Sequence, residues 1–235
     1  MTAALKGLRY CVMQPYFFPY AGYYRLLLDT DVFVVFDSAQ FPRRGRVHRC
    51  EAWTADGRLT WLTLPLRKSP RDSRISDMVF APDAAATLAE RGRRTPGAAR
   101  TLNDDPELAS LVMNPQGRLL PYLQAQLEFT AKALGSRATL VRASELLPRA
   151  GMHYQQYILA LGAVLGATEY VNPPGGRHLY QAQAFEEAGI DLTFLAPYVG
   201  LPVSVLESGL QQRTSLRSLV AAGSSVHRLS PSVNA

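Results

Sequence analysis

Cysteine is nearly absent from this sequence: Cys11 and Cys50 are the only two in 235 residues, too few and too far apart for a disulfide framework or a paired-cysteine metal site. That scarcity argues against a small secreted scaffold, and a reducing cytoplasm is the expected home. Long hydrophobic runs are missing as well. No apolar stretch approaches the roughly 20 residues of a membrane span, and the opening Met1-Thr2-Ala3-Ala4-Leu5-Lys6 lacks the basic-then-apolar order of a secretion signal. Internal repeats and linkers between two full domains are not evident. Lysine is scarce too: arginine supplies 22 of the 25 basic residues, and its planar fork suits phosphate and carboxylate oxygens.

What is present is enough apolar content, 47 %, for a sizeable core. A single α/β domain over residues 1–235 is expected, carrying an insertion over residues 43–115. The net charge of +6 is uneven: residues 43–100 hold 13 basic and 6 acidic side chains, so that segment is +7 and the remainder −1. An anionic partner fits this imbalance, with substrate phosphate, nucleotide and RNA all open.

The organising stretch is Tyr10 to Gln40. A short apolar run ends at Gln14-Pro15, a helical stripe of Tyr23, Leu26 and Leu27 follows, and Val32–Phe36 is β-branched and aromatic throughout. Strand, turn, helix and a strand covered on both faces make one parallel βαβ unit. Its strands end on one edge, where open α/β sheets bind ligands, so Gln14, Tyr16, Asp37 and Gln40 are expected as neighbours. Six rings fall in the nine residues from Tyr16 to Tyr24, more than one short helix would hide. Tyr16, Tyr20 and Tyr23 are therefore expected to meet a ligand.

Further along, Arg46–Trp53 and Leu59–Leu66 read as a hairpin turning at Asp56-Gly57. In an extended strand Arg46, His48 and Cys50 would share one face. His48 beside Cys50 has the look of a base and a thiol, although no third orienting group is legible and isolated cysteines more often pack. His48 is kept as a candidate catalytic or hydrogen-bonding residue. Residues 67–103 are weakly patterned, with a short helix from Ala84 to Arg91, and Arg91, Arg93 and Arg94 could contact an anion, although a solvated face is the better reading. Another short helix runs from Pro106 to Val112.

A long amphipathic helix spans Gln116 to Leu134, Ala138–Val141 is a strand, and a helix from Gly151 closes at Gly166. Thr168–Val171 is the next strand. It leads through Gly175-Gly176, whose amides suit anions, with Arg177 and His178 as extra donors, into a helix over residues 179–188 that begins Leu179-Tyr180. Ile190–Leu195 is the last clear strand, and one or two helices are expected in the tail. The resulting sheet is Rossmann-like, mostly parallel and flanked by helices.

With those segments placed, the chain resembles the WbqC-like protein family. The likeness rests on Met13-Gln14-Pro15-Tyr16, Pro19-Tyr20, Gly22-Tyr23, Asp31-Val32-Phe33-Val34 with Asp37, Gln40-Phe41, Arg43-Arg44-Gly45, Arg49 and Trp61-Leu62-Thr63-Leu64-Pro65. It continues through Leu165-Gly166-Ala167-Thr168, Gly175-Gly176, Leu179-Tyr180, Phe185 and Gly189-Ile190. Arg46, His48 and Cys50 depart from the Trp and two Asn usual in the family. Glu207 matches an acidic tail position whose following Asn-Cys-Gly is missing. The resemblance implies transfer of glycine or a similar aminoacyl group to an amino sugar, in polysaccharide or natural-product biosynthesis. A second likeness, to nucleotidyltransferase-type Rossmann proteins such as pantothenate synthetase, concerns fold. There, histidines hold ATP phosphates at the places of Tyr20 and Tyr23, and a neutral phenol lacks the imidazole's charge.

The expected activity is thus acyl or aminoacyl transfer to the amine of a small polar substrate, from an anionic donor of which aminoacyl-tRNA is one form. Asp37 would orient or deprotonate the amine, Gln14 and the Gly175-Gly176 amides would donate to oxygen, and Arg44 and Arg49 would hold the donor's phosphate. Tyr16, Tyr20, Tyr23, Gln40, His178 and Tyr180 complete the candidate substrate site. No cofactor or metal is implied. The alternatives are a non-catalytic nucleic-acid-binding protein and a nucleotidyltransferase.

Overall fold

The computed structural model describes residues 7–200, 203–208, 218 and 220. Seven strands occur among them: β1 Arg9–Met13, β2 Val32–Val35, β3 Arg49–Trp53, β4 Leu59–Thr63, β5 Thr139–Arg142, β6 Glu169–Asn172 and β7 Asp191–Phe194. Five form a parallel sheet in the order β5-β2-β1-β6-β7, and β3 with β4 form a separate antiparallel pair. This is the expected α/β architecture. Tyr10 faces Val32 on one side and Tyr170 on the other. β2 is buried along its whole length, as its unbroken apolar run requires when helices cover both faces.

Helix boundaries follow local chemistry. Helix Leu119–Leu134 starts after the extended Arg118 and stops at Gly135, and helix Tyr154–Leu165 stops at Gly166. Both glycines adopt positive φ (64° and 62°), the left-handed closure that glycine enters without a Cβ penalty. Helices Ala84–Gly92 and Pro106–Val112 match expectation, but Pro96–Asp104, expected as irregular chain, is also helical. It buries only Ala98, Thr101 and Leu102, a stripe too small and mixed to show a period. The expected tail helices beyond residue 208 lie outside the described residues, apart from Ser218 and Val220.

Two expectations need correction. The hairpin is shorter than Arg46–Trp53 with Leu59–Leu66, because residues 43–48 form successive turns before β3 begins. The expected helix over residues 179–188 is instead a 3₁₀ segment, Pro174–Leu179, followed by a helix Ala182–Glu187. Proline and paired glycines favour the tighter turn over a continuous helix.

Helix Tyr154–Leu165 packs on β1 through Gly162. The fully buried Tyr10 donates its hydroxyl to the Ile158 carbonyl at 2.9 Å, and a Cβ on Gly162 would lie 2.5 Å from that hydroxyl oxygen. Glycine inside a helix normally costs about 1 kcal/mol relative to alanine; here it makes room for the tyrosine. Gly162→Ala should therefore lower the unfolding free energy by about 1–3 kcal/mol, the usual cost of overpacking, instead of raising it. Urea denaturation followed by circular dichroism reads the sign directly.

Candidate functional site

The sheet order reverses at β1: the chain builds β1, β2 and β5 outward on one side, then β6 and β7 on the other. Loops after β1 and β6 therefore diverge and leave a crevice at the strand ends. Gln14-Pro15-Tyr16 leaves β1, Phe36-Asp37 leaves β2, Ala143-Ser144 leaves β5 and Pro173-Pro174 leaves β6. Ring contacts tie their residues together. Phe36 lies 5.8 Å from Tyr154 and 5.7 Å from Tyr157, with the Arg149 guanidinium 5.5 Å above its ring. Tyr154 lies 5.8 Å from Tyr180.

Asp37 is 1 % exposed, and no ion pair is made to it among the described residues. Its Oδ1 accepts the Ser144 N–H at 3.0 Å and its Oδ2 the Ser144 hydroxyl at 2.5 Å. A buried carboxylate is costly without such donors. Ser144 itself is exposed, so it stands between the carboxylate and solvent. This serine follows β5, but nothing local marks it as Asp37's partner, 107 residues away.

On the other wall, tyrosine hydroxyls form a chain. Tyr170 donates to Asn172 Oδ1 at 3.4 Å, Tyr180 lies 2.8 Å from Tyr170, and Tyr154 lies 2.9 Å from Tyr180. Each hydroxyl has one proton. Tyr180 therefore donates to Tyr170 and Tyr154 to Tyr180, leaving the half-buried Tyr154 oxygen as an acceptor at the outer end. Burial pushes the Tyr170 and Tyr180 phenols above their usual range, so the chain stays protonated. Gly176 lets Asn172 take its place: a Cβ there would sit 2.1 Å from Asn172 Nδ2. The Gly176 amide is already spent on the Pro173 carbonyl, whereas Gly175 faces open space. His178 is exposed.

The aromatic turn is largely internal, contrary to expectation. Phe17, Phe18, Tyr23 and Tyr24 are 2 % exposed or less, because more than one short helix covers them: Phe17 stacks 6.4 Å from Tyr122 of helix Leu119–Leu134. Tyr23 donates its hydroxyl to the Gln14 carbonyl at 2.7 Å and so fixes the turn instead of facing the crevice. Tyr16 and Tyr20 remain half-buried. Tyr16 stacks on Tyr23 at 5.2 Å, and its phenol is raised mainly by burial. The Gln14 side-chain amide makes no hydrogen bond among the described residues. Phe18 sits at φ 38°, a strained setting for a bulky residue, and Ser204 holds it by donating to its carbonyl at 2.6 Å.

Other candidates lie elsewhere. Gln40 is exposed, donates to the Arg71 carbonyl at 2.8 Å and pairs by backbone with Arg74, which ties the loop after β2 to residues 71–74. Arg49 donates to the carbonyls of Arg44 and Gly45 and covers the Trp61 ring at 4.1 Å; the Arg44 side chain is exposed. Glu207 is half-buried and accepts the Ala98 N–H at 3.1 Å, capping helix Pro96–Asp104. Desolvation pushes its carboxyl up.

The shared face of His48 and Cys50 does not form, since the chain turns at His48. Cys50 is 2 % exposed and its thiol is pushed up to about 12 by burial, so thiolate is negligible near neutrality. The His48 ring lies 4.9 Å from Phe41, tilted against it, in a cavity lined by none of the tyrosines. Burial first, then Arg49, Arg43 and Arg91, lower its imidazole to about 4. The two make no hydrogen bond, and a thiol nucleophile with its base is not assembled.

Among the described residues no group of acidic, histidine or cysteine side chains could hold a metal, and no helix is long and apolar enough to cross a membrane. No curated protein and no solved structure matches the chain. One family profile does, over residues 14–200. That span takes in the loops that follow all five strands of the parallel sheet, and the chain belongs to the WbqC-like protein family.

Proposed function

We propose that the protein is a transferase that moves an acyl or aminoacyl group, glycyl included, onto the amine of a small polar substrate. The observation that carries this reading is the Asp37–Ser144 pair, a buried carboxylate without a cation partner among the described residues, reaching the crevice through one exposed hydroxyl. A carboxylate one hydroxyl away from a bound amine is within reach to take up its proton. Family membership supports it.

In this reading the amine nitrogen attacks the donor's ester carbonyl. Ser144 Oγ accepts the departing N–H proton while passing its own to Asp37. The new N–C bond forms, the C–O bond to the carrier breaks, and the proton returns through Ser144 to the carrier's alkoxide, so charge and atoms balance. The uncommitted Gln14 amide donates to the developing oxyanion. Tyr16, Tyr154 and Tyr180 supply an aromatic wall and a hydrogen-bond acceptor for the acceptor substrate. Arg44 and Arg49 anchor the donor's phosphate.

A non-catalytic nucleic-acid-binding role is the second reading, favoured by one feature of the hairpin. Trp53, Leu59 and Trp61 are 42 %, 51 % and 38 % exposed, and Arg46 and Arg49 lie over Trp61, a platform of the kind that stacks bases.

Incubating the purified protein with glycyl-tRNA and a panel of amino sugars should give an acceptor heavier by one glycyl group, read by mass spectrometry. Asp37→Asn should lower turnover by about 10²-fold or more, with destabilisation confined to about 1–3 kcal/mol; a folded Asp37→Asn protein with intact turnover removes the proposed base. The donor class shows in salt. With aminoacyl-tRNA the donor KM should climb steeply as salt rises, whereas a nucleotide-linked or carrier-bound donor gives a shallow slope. RNA binding in the absence of any transfer would favour the second reading.

A further inference from the structure

The insertion holds a second cavity, separate from the tyrosine wall, with a volume of about 500 Å³. Arg43, Arg67, Lys68 and Arg91 line it against a single carboxylate, Asp83. That is three net positive charges around one recess. None of the four cations makes an ion pair among the described residues, and Asp83 is engaged by the Thr87 hydroxyl at 3.0 Å.

Two of the guanidinium groups are held in place by the protein. Arg43 donates to the Ser69 and Pro70 carbonyls at 2.6 and 2.5 Å, and Arg91 donates to the Thr63 carbonyl at 2.6 Å. Neutral carbonyls orient the forks without cancelling their charge, so other N–H groups remain for a ligand. The His48 imidazole also lines the recess, and its Nδ1 is buried with no hydrogen-bond partner. Buried polar atoms are normally matched. His48 Nδ1 is thus an uncommitted hydrogen-bonding atom in a recess lined by four cations. Phe41, Leu64 and Met78 give the recess an apolar side, and its volume falls within the range of small-molecule sites.

We propose that this cavity binds the phosphate group of a small organic phosphate, with Arg43, Arg67, Lys68 and Arg91 holding its oxygens and His48 donating a proton-linked hydrogen bond. The proposal stands whether or not the sheet edge transfers an acyl group. In the free protein His48 stays neutral down to about 4, because Arg43, Arg49 and Arg91 oppose its charge and burial removes water. An anion beside it offsets those cations and favours the imidazolium. Asp83 and Lys68 bound the same recess and shift the balance in opposite directions. By linkage, binding should tighten as pH falls.

Sulfate tests this cleanly, since it stays a dianion over the working range. Calorimetric titration should give saturable one-to-one sulfate binding, several-fold tighter at about pH 5 than at about pH 8. Glycerol phosphate should compete with it. Arg67→Ala combined with Lys68→Ala, both at exposed positions, should weaken binding about tenfold or more. His48→Gln should bind at the higher pH and lose the pH difference. Heat that never saturates, a double variant that binds as wild type, or a pH difference that survives in His48→Gln would overturn the proposal. So would a single-stranded RNA whose binding needs Arg67 and Lys68 while neither sulfate nor glycerol phosphate saturates, which assigns the charge to a macromolecular surface.

Discussion

The arrangement depends on β1 lying between β2 and β6. A central parallel strand must satisfy its backbone on both sides, and here it pairs with β2 along Tyr10–Met13 and with β6 at Arg9 and Tyr10. The neighbours extend in opposite directions from it, so the segments leaving β1 and β6 cannot close over one another. Every polar feature of the candidate site inherits its position from that parting: the Gln14 turn in the middle, Asp37 and Ser144 to one side, the tyrosine chain to the other. The opposite end of the sheet is closed by charge instead, with Arg9 3.1 Å from Glu169 and its amide donating to Asp31 at 2.8 Å.

How much of this could be read from the sequence depended on the range of the interaction. β2 was legible because both of its faces are covered, which leaves an unbroken apolar run; Gly135 and Gly166 marked helix ends because the left-handed closure is local. Helix Pro96–Asp104 was not, since its buried stripe of Ala98, Thr101 and Leu102 is held by Glu207 and neighbouring helices instead of a strong period. The aromatic turn misled for a related reason. Its rings are hidden by elements far along the chain, which a count of rings within one short segment cannot register. The pairing of Ser144 with Asp37 leaves no signature either. The shared edge of Gln14 and Asp37 was legible because the strand ends of a βαβ unit must lie side by side.

Charge in residues 43–100 divides into two uses. Arg46 with Glu51, Arg58 with Asp56 and Arg94 with Glu90 are paired, and the exposed pairs among them contribute little to stability. Arg43, Arg49 and Arg91 instead spend hydrogen bonds on carbonyls of turns and strands, which positions them without neutralising them. The segment charge of +7 already subtracts the paired acids, and three of those net charges gather around one recess.

Ser204 has one further consequence. Its hydroxyl reaches back 186 residues to the Phe18 carbonyl, Val205 donates to the Pro19 carbonyl at 3.2 Å, and Glu207 holds helix Pro96–Asp104 through Ala98. During synthesis on the ribosome, the earliest loop of the crevice emerges long before the residues that brace it. The nascent chain can form its first strands and still hold an unset aromatic loop until Ser204 has been made.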